Sequence, residues 1–390
     1  MNGKGQNRCA GTERTESSHR IKNRIGVQER ERAESVRKKR KIIVINGRFL
    51  LHRVTGVERY ARELVSALDR IVPAGQFEMA VPPEAEDIPV YRNIQIRRVG
   101  KLHNRLWEHV SFPAYVKRRG GIALNLCNVA PLPAPGIATV HDVKPIVHPE
   151  YYSRKFVQWY RLLYANEFRR ARMILTGSKF SAREIIRFYH VRPQRIHLIP
   201  DGWQHYERVE YDPHALERYG LEKGAYYFSL GSNDPGKNLS WILESARLQP
   251  DITFAVSGNV NKTVFADSSQ GGVTAGESRA AKPDNVRLLG YVTDEEAKTL
   301  MRDCRAFLFP SFYEGFGIPP LEALSAGCPC VVVSDIPVMH EIFGENAVYI
   351  DPNRPGDFSW KKVDGQNVLA RYSWDRSARK LLRVLERSNL

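Results

Sequence analysis

Short apolar runs alternate with amphipathic segments along most of the chain. The first run, KIIVING, predicts a buried strand that ends at Gly47. The next segment, TGVERYARELVSAL, predicts a helix with Thr55 as its N-cap, because its apolar residues recur on one helical face. Four more strands are predicted in GGIALNLCN, GIATVHD, ARMILTGS and RIHLIPDG, with helical segments at 153–172 and 181–190. This order is typical of a parallel sheet covered by helices.

The same pattern restarts in the second half of the chain. A charged stretch, 203–224, predicts a linker, and strands are then expected in AYYFSLGS, ITFAVSG, VRLLGYV, AFLFPS and CVVVSD. The polar segment 259–285 predicts a loop. We therefore predict an α/β protein with two Rossmann-like domains, 41–202 and 225–375, whose parallel sheets face a central cleft. A C-terminal helix over 376–390 is expected to pack back on the first domain.

Composition and charge narrow the class of protein. No apolar run reaches the length of a transmembrane helix, and the N-terminus lacks the apolar core of a signal peptide, so we expect a cytoplasmic protein. The formal charge is +16, and residues 1–40 hold twelve Lys/Arg and five Glu. That stretch is nearly free of apolar residues and predicts a disordered basic tail. A basic chain suits nucleic acid, an anionic membrane or phosphorylated substrates.

The stretch YEGFGIPPLEAL places two glutamates around a glycine-rich turn. Pro319 and Pro320 suit the first turn of a helix, so the turn offers free backbone N–H groups to an anion at the helix N-terminus. Glu314 precedes this turn, and Glu322 is expected in the first helical turn. Carboxylates accept hydrogen bonds from hydroxyls, and a phosphate beside hydroxyls describes a nucleotide sugar. The alternative is one glutamate that favours the helix N-terminus and one that is solvated.

Other loops carry further candidates. LGSNDPGKN places Lys237 just before a predicted helix, where a lysine is a point charge for a diphosphate. TGVERY places Gly56 at another helix start. TVHDVKP ends an apolar run with His141 and Asp142, which suit proton transfer or hydrogen bonding at a strand end. A surface or structural role is the alternative for Lys237 and His141.

The order of these motifs, with HPEYYS after VHDVKP, resembles the retaining GT-B glycosyltransferases of family 4 (glycosyl transferases group 1). Within that family the likeness is to bacterial mannosyltransferases of exopolysaccharide and O-antigen assembly, and it spans residues 41–375. It implies that the catalytic residues are His141, Asp142, Lys237 and Glu314. His141 would hydrogen-bond the donor sugar, Glu314 would contact the transferred sugar, and Lys237 would neutralise the diphosphate. The donor-binding residues that it implies besides Lys237 are Gly56, Ser232, Gly315, Phe316, Gly317, Ile318 and Glu322, the last of which would bind the ribose hydroxyls.

The chain departs from the family pattern at the diphosphate. Many members carry an arginine at the positions held here by Ser232 and Gly236, so one expected positive charge is missing. Arg48 and Arg53 of the first loop are candidate replacements.

The resemblance also implies transfer with retention at the anomeric carbon. No D-x-D sequence occurs, so we expect catalysis without a metal ion or other cofactor. GDP-mannose is the expected donor, with UDP- and ADP-sugars as alternatives, and a polyprenyl-diphosphate-linked saccharide is the expected acceptor. Segments 104–121 and 153–172 interleave aromatic and basic residues, which suits peripheral contact with the inner face of the plasma membrane. Helices that simply pack on the sheet are the alternative.

Two other classes stay open. A nucleotide-sugar epimerase of the same GT-B shape would bind the diphosphate, but it needs a dedicated acid/base pair that the sequence does not reveal. A basic nucleic-acid-binding protein would explain the charge, but no zinc, helix-turn-helix or RNP motif occurs. An NAD dehydrogenase is disfavoured, because GxGxxG follows none of the predicted strands.

Overall fold

A computed structural model describes residues 41–230, 234–258 and 282–388. The expected tail over 1–40, Ser232 and most of the loop predicted at 259–285 lie outside these ranges.

A parallel seven-stranded sheet forms the centre of the first domain. Its strands are β1 (Ile43–Asn46), β2 (Phe77–Val81), β3 (Gln95–Arg98), β4 (Ile122–Asn125), β5 (Ile137–Thr139), β6 (Met173–Thr176) and β7 (Ile196–Leu198). The strand order is β3-β2-β1-β4-β5-β6-β7. In register, Ile43 of β1 lies between Phe77 of β2 and Ile122 of β4. The order reverses direction between β1 and β4, which is where ligands bind in open α/β sheets.

Helices cover both faces of this sheet. They are α1 (Gly56–Asp69), α2 (Asn104–Leu106), a π-helical turn (Trp107–Ser111), α3 (Phe112–Arg118), α4 (Lys144–Val147), α5 (Arg154–Arg170) and α6 (Lys179–Tyr189), with 3₁₀ turns at Gly47–Leu51, Pro149–Tyr151 and Pro193–Arg195. Thr55 is the N-cap of α1, as predicted, and both its backbone N–H and its hydroxyl donate to Glu58 of the first turn. This arrangement fixes the start of α1 at Gly56.

The second domain repeats the plan with a six-stranded parallel sheet. Its strands are β8 (Tyr226–Leu230), β9 (Thr253–Ser257), β10 (Val286–Gly290), β11 (Ala306–Phe309), β12 (Val331–Ser334) and β13 (Val348–Ile350), in the order β10-β9-β8-β11-β12-β13. Its helices are α7 (Ala215–Tyr219), α8 (Leu239–Leu248), α9 (Asp294–Asp303), α10 (Ile318–Ser325), α11 (Pro337–Phe343) and α12 (Gln366–Leu369). The predicted fold class is confirmed, and every strand expected from the sequence is present; β2, β3 and β13 were not predicted.

The chain returns to the first domain at its end. Helix α13 (Trp374–Arg387) packs against α1, and its Trp374, Ala378 and Leu381 belong to the core under the first sheet. The segment expected to be a linker, 203–224, is folded: it contains a 3₁₀ turn at Gln204–Arg208 and α7, and Tyr206 is buried in the core of the second domain.

The two domains also contact each other directly beside the cleft. Arg59 of α1 pairs with Asp294 of α9 at 2.6 Å. At the N-terminus of α6, the backbone N–H groups of Lys179 and Phe180 donate to the carboxylate of Glu341 in α11. Within the described ranges, none of the helices is both long enough and apolar enough to span a bilayer.

Candidate functional site

A cleft of about 550 Å³ separates the two sheets at the carboxyl ends of their strands. The first domain contributes the start of α1, the loop after β5, and the aromatic side chains of Tyr152 and Phe156. The second domain contributes Asp234, Lys237 and the whole turn from Tyr313 to Pro319. The structure therefore brings together most of the residues singled out in the sequence: Gly56, His141, Asp142, Lys237, Glu314, Gly315, Phe316, Gly317 and Ile318 all line this cleft.

The glycine-rich turn approaches the first domain very closely. A Cβ on Gly315 would lie 2.5 Å from the carbonyl oxygen of His141 and 3.2 Å from Cβ of Asp142, so only glycine fits. The Gly315 carbonyl accepts hydrogen bonds from the hydroxyls of Ser178 and Ser181 at 2.7 and 3.1 Å. Gly317, with φ of 110°, is the N-cap of α10, and this left-handed conformation favours glycine. The turn thus holds a helix N-terminus against the His141 loop.

Lys237 and Glu314 form an ion pair inside the cleft. Lys237 Nζ lies 2.6 Å from Glu314 Oε1, and the ammonium also lies 4.7 Å from the centre of the Phe309 ring. Both side chains are largely shielded from solvent. A bound phosphate would compete with Glu314 for the ammonium and would leave the carboxylate for hydroxyl groups of a sugar.

His141 is a neutral imidazole at physiological pH. Burial lowers its pKa to about 4, an effect that a hydrogen bond to the Leu126 carbonyl only partly offsets. That carbonyl can only accept, so Nε2 at 3.0 Å carries the proton and Nδ1 is the acceptor nitrogen. The ring meets the Tyr60 ring edge-on at 4.6 Å. His141 can therefore accept a hydrogen bond from a hydroxyl without repelling a cation.

Asp142 is held by its own loop. Its carboxylate accepts the backbone N–H of Lys144 at 2.8 Å, and burial raises its pKa above the ordinary value. The carboxylate thus also fixes the conformation that presents Lys144 to the cleft.

Glu322 lies apart from the residues that line the cleft. It was expected in the first turn of the helix, but it is the fifth residue of α10, one position beyond that turn. Its buried carboxylate accepts a hydrogen bond from His205 Nε2 at 2.7 Å. His205 Nδ1 in turn accepts the indole N–H of Trp374 at 3.1 Å, which fixes the tautomer. A ribose contact of Glu322 stays a prediction.

Several cleft residues were missed in the sequence. Lys144 crosses the cleft to Asp234, with Nζ 2.5 Å from Oδ2. Burial would raise the pKa of Asp234, but the hydrogen bond and charge of Lys144 outweigh burial and hold that pKa below its usual value. Asp201 follows β7 in the IPDGW segment, and burial raises its pKa to about 8. A polar residue just past a strand end was the signal that could have identified Asp201.

The candidate replacements for the missing arginine lie elsewhere. Arg48 pairs with the buried Glu108 at 3.3 Å and lines an adjoining cavity of about 320 Å³ in the first domain. Arg53 is exposed and is not among the residues that line the cleft.

Comparisons with known proteins agree with this architecture. Residues 54–204 match the family model Glycosyltransferase Family 4, and residues 216–362 match Glycosyl transferases group 1. Among solved structures, sucrose-phosphate synthase from Thermosynechococcus elongatus is similar over 89% of this chain and 99% of that one, at 16% identity and a TM-score of 0.65. The Anabaena protein HepE in complex with UDP and glucose is similar over 89% and 99%, at 15% identity and a TM-score of 0.62.

Curated relatives match part of the chain. The O-antigen chain mannosyltransferase B of Escherichia coli is 29% identical over 265 residues, which are 61% of this chain and 67% of the relative. The O-antigen chain mannosyltransferase RfbU of Salmonella typhimurium is 30% identical over 249 residues, which are 61% of this chain and 65% of the relative. The match therefore leaves about a third of each relative uncovered.

Two Rossmann-like domains with facing parallel sheets, together with the two family models, define the class of GT-B glycosyltransferases. The chain belongs to the glycosyl transferases group 1, with an N-terminal domain of glycosyltransferase family 4.

Proposed function

We propose that this glycosyltransferase moves a mannosyl group, with retention, from GDP-mannose to a lipid-linked saccharide in bacterial polysaccharide assembly. One observation carries the proposal: the same cleft is lined by the Lys237–Glu314 pair, the Gly315–Gly317 turn and neutral His141. The names of the O-antigen mannosyltransferases that the chain resembles support the choice of mannose and of a polysaccharide product.

The cleft suits the chemistry of a nucleotide-sugar donor. Lys237 and the N-terminus of α10 would stabilise charge on the departing diphosphate. As the bond from the anomeric carbon to the phosphate oxygen breaks, the acceptor oxygen bonds that carbon on the same face. The departing phosphate oxygen takes the acceptor proton, so no enzymic nucleophile is needed. Glu314 and His141 would accept hydrogen bonds from hydroxyls of the transferred sugar.

We place the acceptor in the adjoining cavity of the first domain. This cavity shares Thr55, Val57, Asn128 and Tyr160 with the cleft, so an acceptor there would reach the donor directly. Polar side chains on its wall, among them His52, Glu58 and Asn128, suit a saccharide.

A transfer assay with a matched control tests the proposed function. Purified protein is incubated with GDP-mannose, UDP-glucose or ADP-glucose and a polyprenyl-diphosphate-linked saccharide, with and without EDTA. We expect mannose transfer that EDTA leaves intact and an α-linked product by NMR, since GDP-mannose carries an α-linkage. Glu314→Gln should lose most of this activity, whereas Glu222→Gln, at an exposed site outside the cleft, should retain it. An inverted product, or no transfer from any donor, would contradict the proposal.

We further propose that the protein works at the inner face of the plasma membrane. Leu106, Val110 and Leu162 are exposed by 64, 52 and 56%, on two segments that meet where Arg105 lies over the Trp159 ring. Exposed apolar side chains beside basic ones suit an anionic lipid surface. Sedimentation with vesicles of phosphatidylglycerol, compared with vesicles of phosphatidylcholine alone, tests this. Equal binding to both would contradict it.

A further inference from the structure

Lys144 brings a buried positive charge from the first domain to the second. It opens α4, directly after the His141–Asp142 loop, and its side chain is only 9% exposed. Its ammonium lies 2.5 Å from the Asp234 carboxylate across the cleft, and 5.7 Å from the centre of the Tyr151 ring. The backbone of Lys144 lies on the wall formed by the first domain, and its ammonium contacts the wall formed by the second. The Lys144 side chain therefore crosses the cavity.

The absence of a side chain at position 236 makes room for this ammonium. A Cβ on Gly236 would lie 2.3 Å from Nζ of Lys144 and 2.6 Å from its Cε. The φ angle of Gly236 is outside the left-handed region, so the backbone does not require glycine there. What the glycine provides is space, and Lys144 occupies it.

Lys144 and Lys237 are the two cationic residues among the described residues that line the cleft. Lys237 follows Gly236 in the chain, and Lys144 Nζ occupies the space beside Gly236. Each lysine is paired with a carboxylate, Asp234 or Glu314. An ammonium has three N–H donors, and for Lys144 one hydrogen bond, to Asp234, is found within the described ranges. Donors of both lysines are therefore available to one anion in the same cavity.

We propose that Lys144 is the second cation of the diphosphate site and is supplied by the opposite domain. This inference rests on the proposed nucleotide-sugar function of the cleft. Asp234 holds the ammonium in place in the empty site, and the diphosphate takes it over when the donor binds. Because the ammonium comes from the first domain, the diphosphate is bound by both domains at once.

A simple bridge between the domains is the competing explanation, and two substitutions distinguish it. If the pair only joins the domains, Lys144→Met and Asp234→Asn break the same contact and have the same effect. If Lys144 binds the diphosphate, Lys144→Met weakens binding, whereas Asp234→Asn frees the ammonium and leaves binding intact or stronger. Only Lys144→Met then lowers the affinity.

Calorimetric titration with GDP and with inorganic pyrophosphate measures these affinities. We expect Lys144→Met to weaken both by roughly 10-fold or more, the size expected of a hydrogen bond to a charged group. In a Lys144→Ala background, which also removes the Cε atom that would lie 2.6 Å from a Cβ at position 236, Gly236→Arg should restore most of the lost affinity, because the vacated space then accepts a cation from position 236. Gly236→Arg alone should not raise affinity, since Lys144 fills that space. Melting temperatures show whether each variant is folded.

Three results would overturn the inference. These are equal affinity of Lys144→Met and wild type, an equal loss in Asp234→Asn, or no recovery in the folded double variant. In each case the wild type still binds GDP, so the proposed function survives. If the wild type binds neither GDP nor pyrophosphate, and also binds no nucleotide sugar, the proposed function fails together with the inference.

Discussion

Substitution of Gly315 by alanine should damage the site far more than the fold. The added Cβ would lie 2.5 Å from the His141 carbonyl oxygen, whereas ordinary contacts begin near 3.4 Å. The turn must therefore retreat by about 0.9 Å from the loop after β5. Hydrogen bonds from Ser178 and Ser181 to the Gly315 carbonyl oppose this movement. Glu314, which precedes Gly315 in the chain, would move with the turn.

The expected loss follows from this displacement. A misplacement of about 1 Å in an active site costs on the order of 100-fold in rate, while overpacking costs about 1–3 kcal/mol of folding free energy. We expect kcat/KM of Gly315→Ala to fall by about two orders of magnitude in a protein that still unfolds cooperatively in urea. Gly356→Ala is the matched control, because a Cβ there has no neighbour within 4 Å. Near wild-type kcat/KM for Gly315→Ala would refute the steric reasoning.

Three further substitutions test other parts of the cleft. Gly56→Ala should leave stability unchanged, because the nearest atom to its Cβ is Ile318 Cδ1 at 3.7 Å, yet weaken GDP binding in calorimetry; unchanged affinity would rule out close approach of the diphosphate. Asp201 binds its proton more tightly in the folded protein, so the folding stability of the wild type should fall as pH rises from about 4 to about 8. In urea titrations, Asp201→Asn should become more stable than wild type by up to about 5 kcal/mol across that range. A difference in stability that does not change with pH would contradict burial as the cause. Glu322→Ala should lose the preference for GDP over 2′-deoxy-GDP if Glu322 binds the ribose, and retained preference would exclude that role.

Several of the predicted strands are buried on both faces. In β1 and β12 all four residues are buried, and such strands form unbroken apolar runs in the sequence. At the edge of the first sheet, β3 reads QIRR and is mostly exposed, so it lacks that pattern. The three-residue strand β13 is too short to show any period. Neither edge position nor length is the whole explanation, because the exposed edge strand β10 was predicted. The missed strand β2 is fully buried and reads FEMAV, so its Glu78 interrupts the apolar run.

The motifs predicted which loops meet, but not which side chains pair. Lys237 and Glu314 are 77 positions apart, and no local pattern relates them. Lys144 looks like a solvated lysine in VHDVKP, because its burial comes from the other domain. The partner of Glu322, His205, lies in a stretch whose charge predicted a linker. Each of these contacts depends on how two distant segments fold against each other.

The basic character of the chain is not concentrated in its cleft. There the charges of Lys144 and Lys237 are matched by those of Asp234 and Glu314. Under the proposed function, a diphosphate would be recognised by exchange of ion-pair partners rather than by a positive field, so its binding would depend on where the two ammonium groups are held. The surplus of +16 lies outside the cleft, and +7 of it falls in residues 1–40. The net charge therefore bears on the surfaces that the protein contacts, whereas selection of the proposed donor would depend on the geometry of the cleft.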